Sequence, residues 1–305
     1  MKNRLLLIAM LLSTALAQSE TVLVELKLQP NKVYKQSFES QMVTTQTIFE
    51  QKTNMLSKAE GIASYQIQSE LKDGYELKAT FEKMLFAMQA QSGMMEFSSE
   101  KDSANDIISF ILKQMIGKPF TVVINKNGKI ASVVGFKENY DQIVKSYRDV
   151  SVKQKEYICN LISKSFGPEA IKGSFQLTTE QLPGKKVDVG SKWNSKQFLK
   201  SVMSTNAKTT AEVQSIADGK MTVKTEAVLV TADKKSDDNS FGATMQMDLT
   251  GQISSVLTFD LTSGWPIDAK INQKLTGSGF IEANEQLENG LTIPLTINTV
   301  FKWLK

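Results

Sequence analysis

The sequence contains no histidine and one cysteine, Cys159. Without histidine, the Ser-His and Cys-His nucleophile arrangements and every His-ligated metal site are excluded. A single thiol cannot close an internal disulfide. Arginine is scarce as well: only Arg4 and Arg148 occur, against a large excess of lysine. Arginine is the usual two-pronged partner of phosphate and carboxylate, whereas lysine is a point charge, so a dedicated phosphate-recognition surface is not expected. The net charge of +4 falls to +2 if Lys2 and Arg4 leave with the leader described below, which is too balanced to imply a nucleic-acid partner. Beyond the N-terminus no apolar run is long enough to cross a membrane as a helix. Stability then has to come from burial, for which residues 18–305 suffice.

The N-terminus reads MKNRLLLIAMLLSTALAQSE. Lys2 and Arg4 are basic, Leu5 to Leu12 form a short apolar run, and Ala15-Leu16-Ala17 is a small-x-small cleavage site, together the pattern of a secretory signal peptide. Cleavage after Ala17 would leave Gln18 at the new terminus. No cysteine follows the site, so a lipid anchor is not expected. The expected location is periplasmic or extracellular, with no transmembrane segment after cleavage.

From Thr21 to about Phe97 the dominant period is two, as in Leu77, Ala79 and Phe81 against Lys78, Thr80 and Glu82. Strands are predicted over 21–29, 32–49, 54–72, 75–90 and 93–98. The alternation slips near Lys83-Met84, where a bulge would restore the phase. From Ser103 the spacing becomes helical: Ile107, Ile108, Ile111, Leu112 and Met115 share a stripe, with Asp102 or Ser103 as cap. Tyr140, Ile143, Val144 and Tyr147 form a second stripe. A third helix is predicted over 152–165 with Ser151 as N-cap, and a shorter one over 169–181. Strands return over 197–205, 208–217, 219–231, 241–259, 265–280 and 290–303. The chain thus divides into a leader (1–17), an N-terminal β half (18–102), a central helical segment with a hairpin at 119–134 (103–182) and a C-terminal β half (183–305). Ile67-Gln-Ser-Glu-Leu-Lys-Asp-Gly74 and Val213-Gln-Ser-Ile-Ala-Asp-Gly219 are alike. They read either as an internal repeat or as two ordinary Asp-Gly hairpins.

The segment GKPFTVVINKNGKIASVVG (117–135) is the clearest hairpin in the chain. A two-residue Asn127-Gly128 turn would set Lys126 opposite Lys129. A three-residue loop with Gly128 left-handed pairs Asn125 with Lys129 instead and gathers Phe120, Val122, Ile124, Ile130 and Val134 on one face. A lone hairpin is marginal in water, so this one is expected to tie the flanking helices to the sheet. FTVVINKNGKIASVVG, followed by Tyr140-Asp-Gln-Ile143 and later by FDLTSGWPIDAKIN (259–272), resembles an uncharacterised family of exported Bacteroidota proteins of about this length. The Ala17-Gln18 junction also fits export in that phylum. The resemblance implies localisation and fold; it brings no catalytic residues.

Candidate chemistry is thin. Ser69-x-x-Lys72 has Ser-Lys spacing, but that chemistry needs a helix start and both residues fall in a strand pattern. Glu76, Glu82, Asp237, Asp238, Asp260 and Asp268 are carboxylates, and an acid–base pair needs two facing across a cleft. Lys234 to Ser240 is a polar loop without calcium-ligand spacing. Asp102-Ser103-Ala104 resembles the short O-glycosylation motif of Bacteroidota and serves equally as a helix cap. Cys159 reads as a half-buried, inert thiol. No catalytic residue, cofactor or metal is expected, and the chain does not read as an enzyme.

Eleven of the 13 methionines lie beyond Ala17, and methionine adapts to irregular apolar ligands as well as filling cores. The predicted architecture is α+β: a large curved antiparallel sheet, a half-barrel or cup of about ten to twelve strands, with a central helical segment. The outward lysines and glutamates and the helical insert argue against a membrane-spanning barrel. The expected function is binding: an exported envelope protein holding a lipid or other apolar ligand between helices and sheet. The predicted pocket is lined by Met84, Phe86, Met88, Ile108, Leu112, Tyr140, Val144, Val228 and Val230. The alternative is an envelope scaffold or adhesion module that binds other proteins.

Overall fold

The computed structural model describes residues 21–90, 93–101, 106–145, 150–200, 204–232, 245–283 and 287–304. Ala15, Ala17, Gln18, Ser103, Tyr147 and the Lys234–Ser240 loop lie outside the described residues. After a two-residue β1 (Val22–Leu23), the first half builds a meander from β2 (Val33–Ile48), β3 (Gln51–Leu71), β4 (Gly74–Ala90) and β5 (Gly93–Ser98). Helix α1 (Ile107–Met115) leads to a hairpin of β6 (Phe120–Asn125) and β7 (Ile130–Val134). Three helices follow, α2 (Phe136–Lys145), α3 (Val152–Phe166) and α4 (Pro168–Gln176), then a 3-10 turn at Thr179–Gln181. After the short β8 (Lys186–Val187), the second half is another meander: β9 (Lys192–Lys200), β10 (Ser204–Ala217), β11 (Lys220–Thr231), β12 (Met245–Asp260), β13 (Pro266–Ile281) and β14 (Leu291–Leu304).

The two halves form one antiparallel sheet of twelve strands, because β14 pairs with β2. Its order is β7-β6-β4-β3-β2-β14-β13-β12-β11-β10-β9, with β5 on the distal part of β4. The sheet is curved but not closed, as the α+β expectation required. Its two terminal strands both flank α4. Thr179 Oγ1 donates to the Gly128 carbonyl beside β7 at 2.7 Å, and Gln176 Nε2 donates to the Phe198 carbonyl of β9 at 3.2 Å. The segment α4–Gln181 therefore covers edges that would otherwise offer free backbone groups to another chain.

The hairpin of residues 117–135 belongs to the sheet itself: β6 pairs with β4 from Gly74↔Asn125 to Ala79↔Phe120. Its loop has three residues. Asn125 N–H donates to the Lys129 carbonyl at 2.9 Å and Gly128 has φ 84°. One detail departs from expectation. The register shifts between Val123 and Ile124, leaving Ala131 as a bulge. Phe120, Val122, Ile124 and Ile130 are buried, whereas Val134 is turned out to solvent.

Local signals placed several other features. The slip near Met84 is a bulge at Glu82, where the partner steps from Ala63↔Phe81 to Ile62↔Lys83. Ser151 caps α3 in a reciprocal arrangement with Gln154. Helix α1 starts later than expected and its cap is Asp106, which accepts from the Ile108 and Ser109 N–H groups. The look-alike segments at Ile67 and Val213 share a shift across Gln68 and Gln214, so the likeness extends to backbone geometry. Only Val22–Leu23 of the expected 21–29 strand is strand. Residues 24–28 instead cross the turn end of the sheet, with Leu26 N–H donating to Lys126 and Lys27 N–H to Ser263, and with Val24, Leu26 and Leu28 buried.

The core lies between the helices and the face of the sheet that carries Phe38, Tyr65 and Phe81, here termed the inner face. Phe175 of α4 packs among Tyr65, Trp265 and Trp303 with ring centroids 5.5–5.8 Å apart. Phe166 of α3 meets Phe38 and Phe81. Such offset and edge-on aromatic pairs add to simple area burial. The helices occupy the end of the sheet that carries the Asp73-Gly74 turn. The opposite end extends well past them.

Candidate functional site

The predicted pocket residues separate into three groups. Met84, Leu112, Tyr140 and Val144 are buried in the core between sheet and helices, with Ile108 half-buried against it. Tyr140 donates its hydroxyl to the Lys155 carbonyl at 2.6 Å, so even its polar end is satisfied. These residues are consumed by packing. Val228 and Val230 are not in a pocket at all: they are 55% and 47% exposed on the outer face. The inward phase of β11 is carried by Met221, Val223, Ala227 and Leu229, all buried, and β-branched residues are well tolerated on an exposed strand. Phe86 and Met88 form the third group, half-buried on the inner face beyond the helices.

A cavity of about 10 Å³ lies beneath α4, lined by Gln181, Gln197, Thr209, Thr225 and Ser255 with several aliphatic residues. It has room for about one water, and Gln181 Oε1 is buried there without a partner among the described residues. It is far too small for the apolar ligand expected between helices and sheet and lies in the other half of the molecule.

The surface around Phe86 and Met88 is different. Reading across the strands on the inner face, one row is Phe301–Ser40–Ala59–Phe86–Phe97. The next is Thr299–Met42–Ser57–Met88–Met95, followed by Ile297–Thr44–Met55 and Leu295–Gln46–Thr53. The middle strands β2 and β3 contribute the small Ser40, Ala59 and Ser57 beside Met42 and Met55, β14 contributes Phe301, Thr299 and Ile297, and β4 and β5 contribute Phe86, Phe97, Met88 and Met95. The result is a groove with a floor of Ser40, Ala59 and Ser57. Its ridges are three strand spacings apart, roughly 14 Å. Phe86 stacks on Phe97 with centroids 6.4 Å apart, stiffening one ridge. At the helix end the groove stops at Phe38, which lies against Phe166 and Phe301. Gly61 makes room for that ring: a Cβ there would strike the Phe38 side chain.

The groove is accessible. Met42, Met55 and Met95 are 36–39% exposed, Thr53 is exposed, Leu295 is buried, and the other lining residues are half-buried. It is also uncharged. In these rows no titratable side chain faces inward, whereas Glu39, Lys58, Glu60, Glu96 and Lys302 lie on the opposite face, where Glu39 pairs with Lys302 at 3.4 Å. Ser40, Met42, Met55, Ser57, Ala59, Phe97 and Phe301 were not foreseen as site residues. The signal was present in the alternation of β2 and β3, but which face it lined depended on pairing with β14 and β4.

The other candidates disperse. Ser69 and Lys72 are both exposed, at the end of β3 and in the turn after it. Glu82 accepts from Lys35 Nζ at 2.8 Å and from the Ser64 hydroxyl, and those hydrogen bonds lower its pKa. Asp260 caps the turn to β13 through Ser263 N–H at 2.9 Å. Cys159 is half-buried, and burial raises its thiol pKa. No group of three possible metal ligands occurs among the described residues, and no helix among them is long and apolar enough to cross a membrane.

Against known families, a model described as a family of unknown function (DUF6263) matches residues 72–266, more than half of the chain. The chain belongs to this family. The matched span includes β4 and β5, one ridge of the groove, and excludes β2, β3 and β14. No curated protein matches the sequence. Among solved structures, the chain is similar to lipovitellin, described for its lipid–protein interactions, at 11% identity and TM-score 0.44 over 91% of this chain. It spans only 25% of lipovitellin's length. DynF from the dynemicin pathway of Micromonospora chersina matches at 8% identity and TM-score 0.24, over 95% of this chain and 88% of its own. The COG4313 outer membrane channel from Pseudomonas putida F1 matches at 8% identity and TM-score 0.25, over 92% of this chain and 97% of its own. Similarities this low transfer neither ligand nor activity.

Proposed function

We propose that the protein is an exported, non-enzymatic binding protein that holds an apolar chain in the open groove on the inner face of β14, β2, β3, β4 and β5. The observation that carries this is the groove itself: Ser40, Ala59 and Ser57 on the floor beside Met42, Phe301 on one side, Phe86, Phe97, Met88 and Met95 on the other, partial exposure of these residues and no inward charge in these rows. An exposed, contiguous apolar surface is unusual for a soluble protein without a partner, and flexible methionine side chains suit a ligand of irregular shape. The basic-apolar N-terminus with Ala15 and Ala17 supports export.

The test is to fill the groove. Ser57 lies between Met42 and Met88, so Ser57→Phe places a ring where the ligand would lie. Binding of the apolar fluorophore N-phenyl-1-naphthylamine should weaken by roughly tenfold or more, since excluding even part of an apolar contact costs over 1 kcal/mol. Lys58→Ala, one residue away on the opposite face, should bind as the parent does. Equal binding by Ser57→Phe and the parent would remove the groove as the site.

A further inference from the structure

The groove changes character along its length, and that change names a class of ligand. At the helix end the inward residues are Phe301, Phe86 and Phe97, backed by Phe38 and Phe166. One row further out they are Met42, Met88 and Met95. The outermost rows bring Thr44, Gln46 and Thr53 to the same face, beside Met55, Ile297 and Leu295. Along the floor the outer rows therefore gain hydroxyl and amide groups from Thr44, Gln46 and Thr53, while β14 beside them stays aliphatic. Threonine hydroxyls both donate and accept, and a glutamine amide offers two donors and an acceptor.

Among the described residues of these rows, no lysine or arginine faces the groove. Lys52 pairs with Thr47 and so lies on the other face of β3. An anionic headgroup placed beside Thr44 and Gln46 would lose water without gaining a charge partner, a cost that hydrogen bonds to neutral groups repay only in part. The floor, two adjacent strands wide, spans ~5 Å, which suits one hydrocarbon chain.

We infer that the groove takes a single-chain amphipath with an uncharged hydroxyl- or amide-bearing head, its tail directed toward Phe38 and Phe166 and its head beside Thr44, Gln46 and Thr53. This rests on the groove being the binding site, and it goes further by assigning the headgroup chemistry and the direction of the chain.

Monolauroylglycerol and laurate share one acyl chain and differ in head charge. Each is used to displace N-phenyl-1-naphthylamine from the full chain at a pH where laurate is ionised. Monolauroylglycerol should compete at a concentration at least tenfold lower than laurate. The double variant Thr44→Val, Gln46→Leu should lose that preference, read as the ratio of the two competing concentrations measured in the same variant. Laurate competing as well as monolauroylglycerol, or a preference that survives the double variant, overturns the inference and leaves the groove as an apolar site. Failure of the fluorophore to bind the parent chain overturns the groove itself, and the inference with it.

Discussion

Gly128 should be far more sensitive than Gly219 to substitution by alanine, and the comparison of their surroundings shows why. Both sit in hairpin loops with positive φ, 84° and 71°. An alanine at either must adopt a left-handed backbone, which costs roughly 1–2 kcal/mol for an L-residue. At Gly219 a Cβ would meet nothing within contact distance, so the cost ends there. At Gly128 a Cβ would overlap the backbone carbonyl of Thr179, and the 3-10 turn would have to move. That movement breaks the buried bond from Thr179 Oγ1 to the Gly128 carbonyl. Losing such a bond removes about 1 kcal/mol and leaves buried polar groups unpaired at a similar further cost. The expected losses are therefore roughly 3–4 kcal/mol for Gly128→Ala and about 1–2 kcal/mol for Gly219→Ala. At about 2–4 °C per kcal/mol for a chain of this order of size, the first variant should melt ~6–16 °C below the parent and the second by roughly half as much or less. Thermal melts followed by circular dichroism, with urea midpoints at unchanged slope, measure both. Equal losses in the two variants would show that the contact between the hairpin loop and the turn after α4 contributes nothing to stability.

Glu82 gives a pH test. Its hydrogen bonds from Lys35 and Ser64 hold its pKa below the usual carboxylate value. The stabilisation is thus present above the unfolded pKa and fades as pH falls through the lowered folded value. The pair is more than a third exposed, so Glu82→Gln should cost no more than about 0.5 kcal/mol at neutral pH. Parent and variant should converge in acid, and a gap that widens on acidification contradicts the assignment. Cys159, its thiol pKa raised chiefly by burial against a weaker opposing effect of Ser163, should react with a disulfide reagent at mildly alkaline pH at least ~10-fold more slowly than a free thiol. A free-thiol rate would place it at the surface. Export should leave Gln18, or its cyclised form, as the first residue, read by N-terminal analysis of the exported protein. Intact Met1 there refutes cleavage after Ala17.

Features governed by neighbours in sequence were the ones legible in advance. The left-handed Gly128, the bulge at Glu82 and the Ser151 cap all follow from residues within one turn or one hairpin, where backbone sterics and side-chain reach decide the outcome. The site was legible only in part. Phe86 and Met88 were named, but their partners Ser40, Ala59, Ser57 and Phe301 come from distant strands, and nothing local says that β14 will lie against β2. Val228, Leu229 and Val230 show the limit most plainly: three consecutive apolar residues do not reveal which alternate member faces inward, and only Leu229 does.

By itself, then, the sequence determined the chemistry that is unavailable to this protein, the alternation of its strands, the stripes of its helices and the turns between them, because each depends on residue type or on short-range geometry. Tertiary structure decided which strand edges meet and hence which side chains share a row. It placed α4 across both edges of an open sheet. It closed the expected pocket beneath the helices, because Met84, Leu112, Tyr140 and Val144 fill that space. It left an uncharged groove where the long β2 and β3 outrun the helices. Whether an apolar residue becomes core or surface is set by what covers it, and the cover comes from segments far away in the chain.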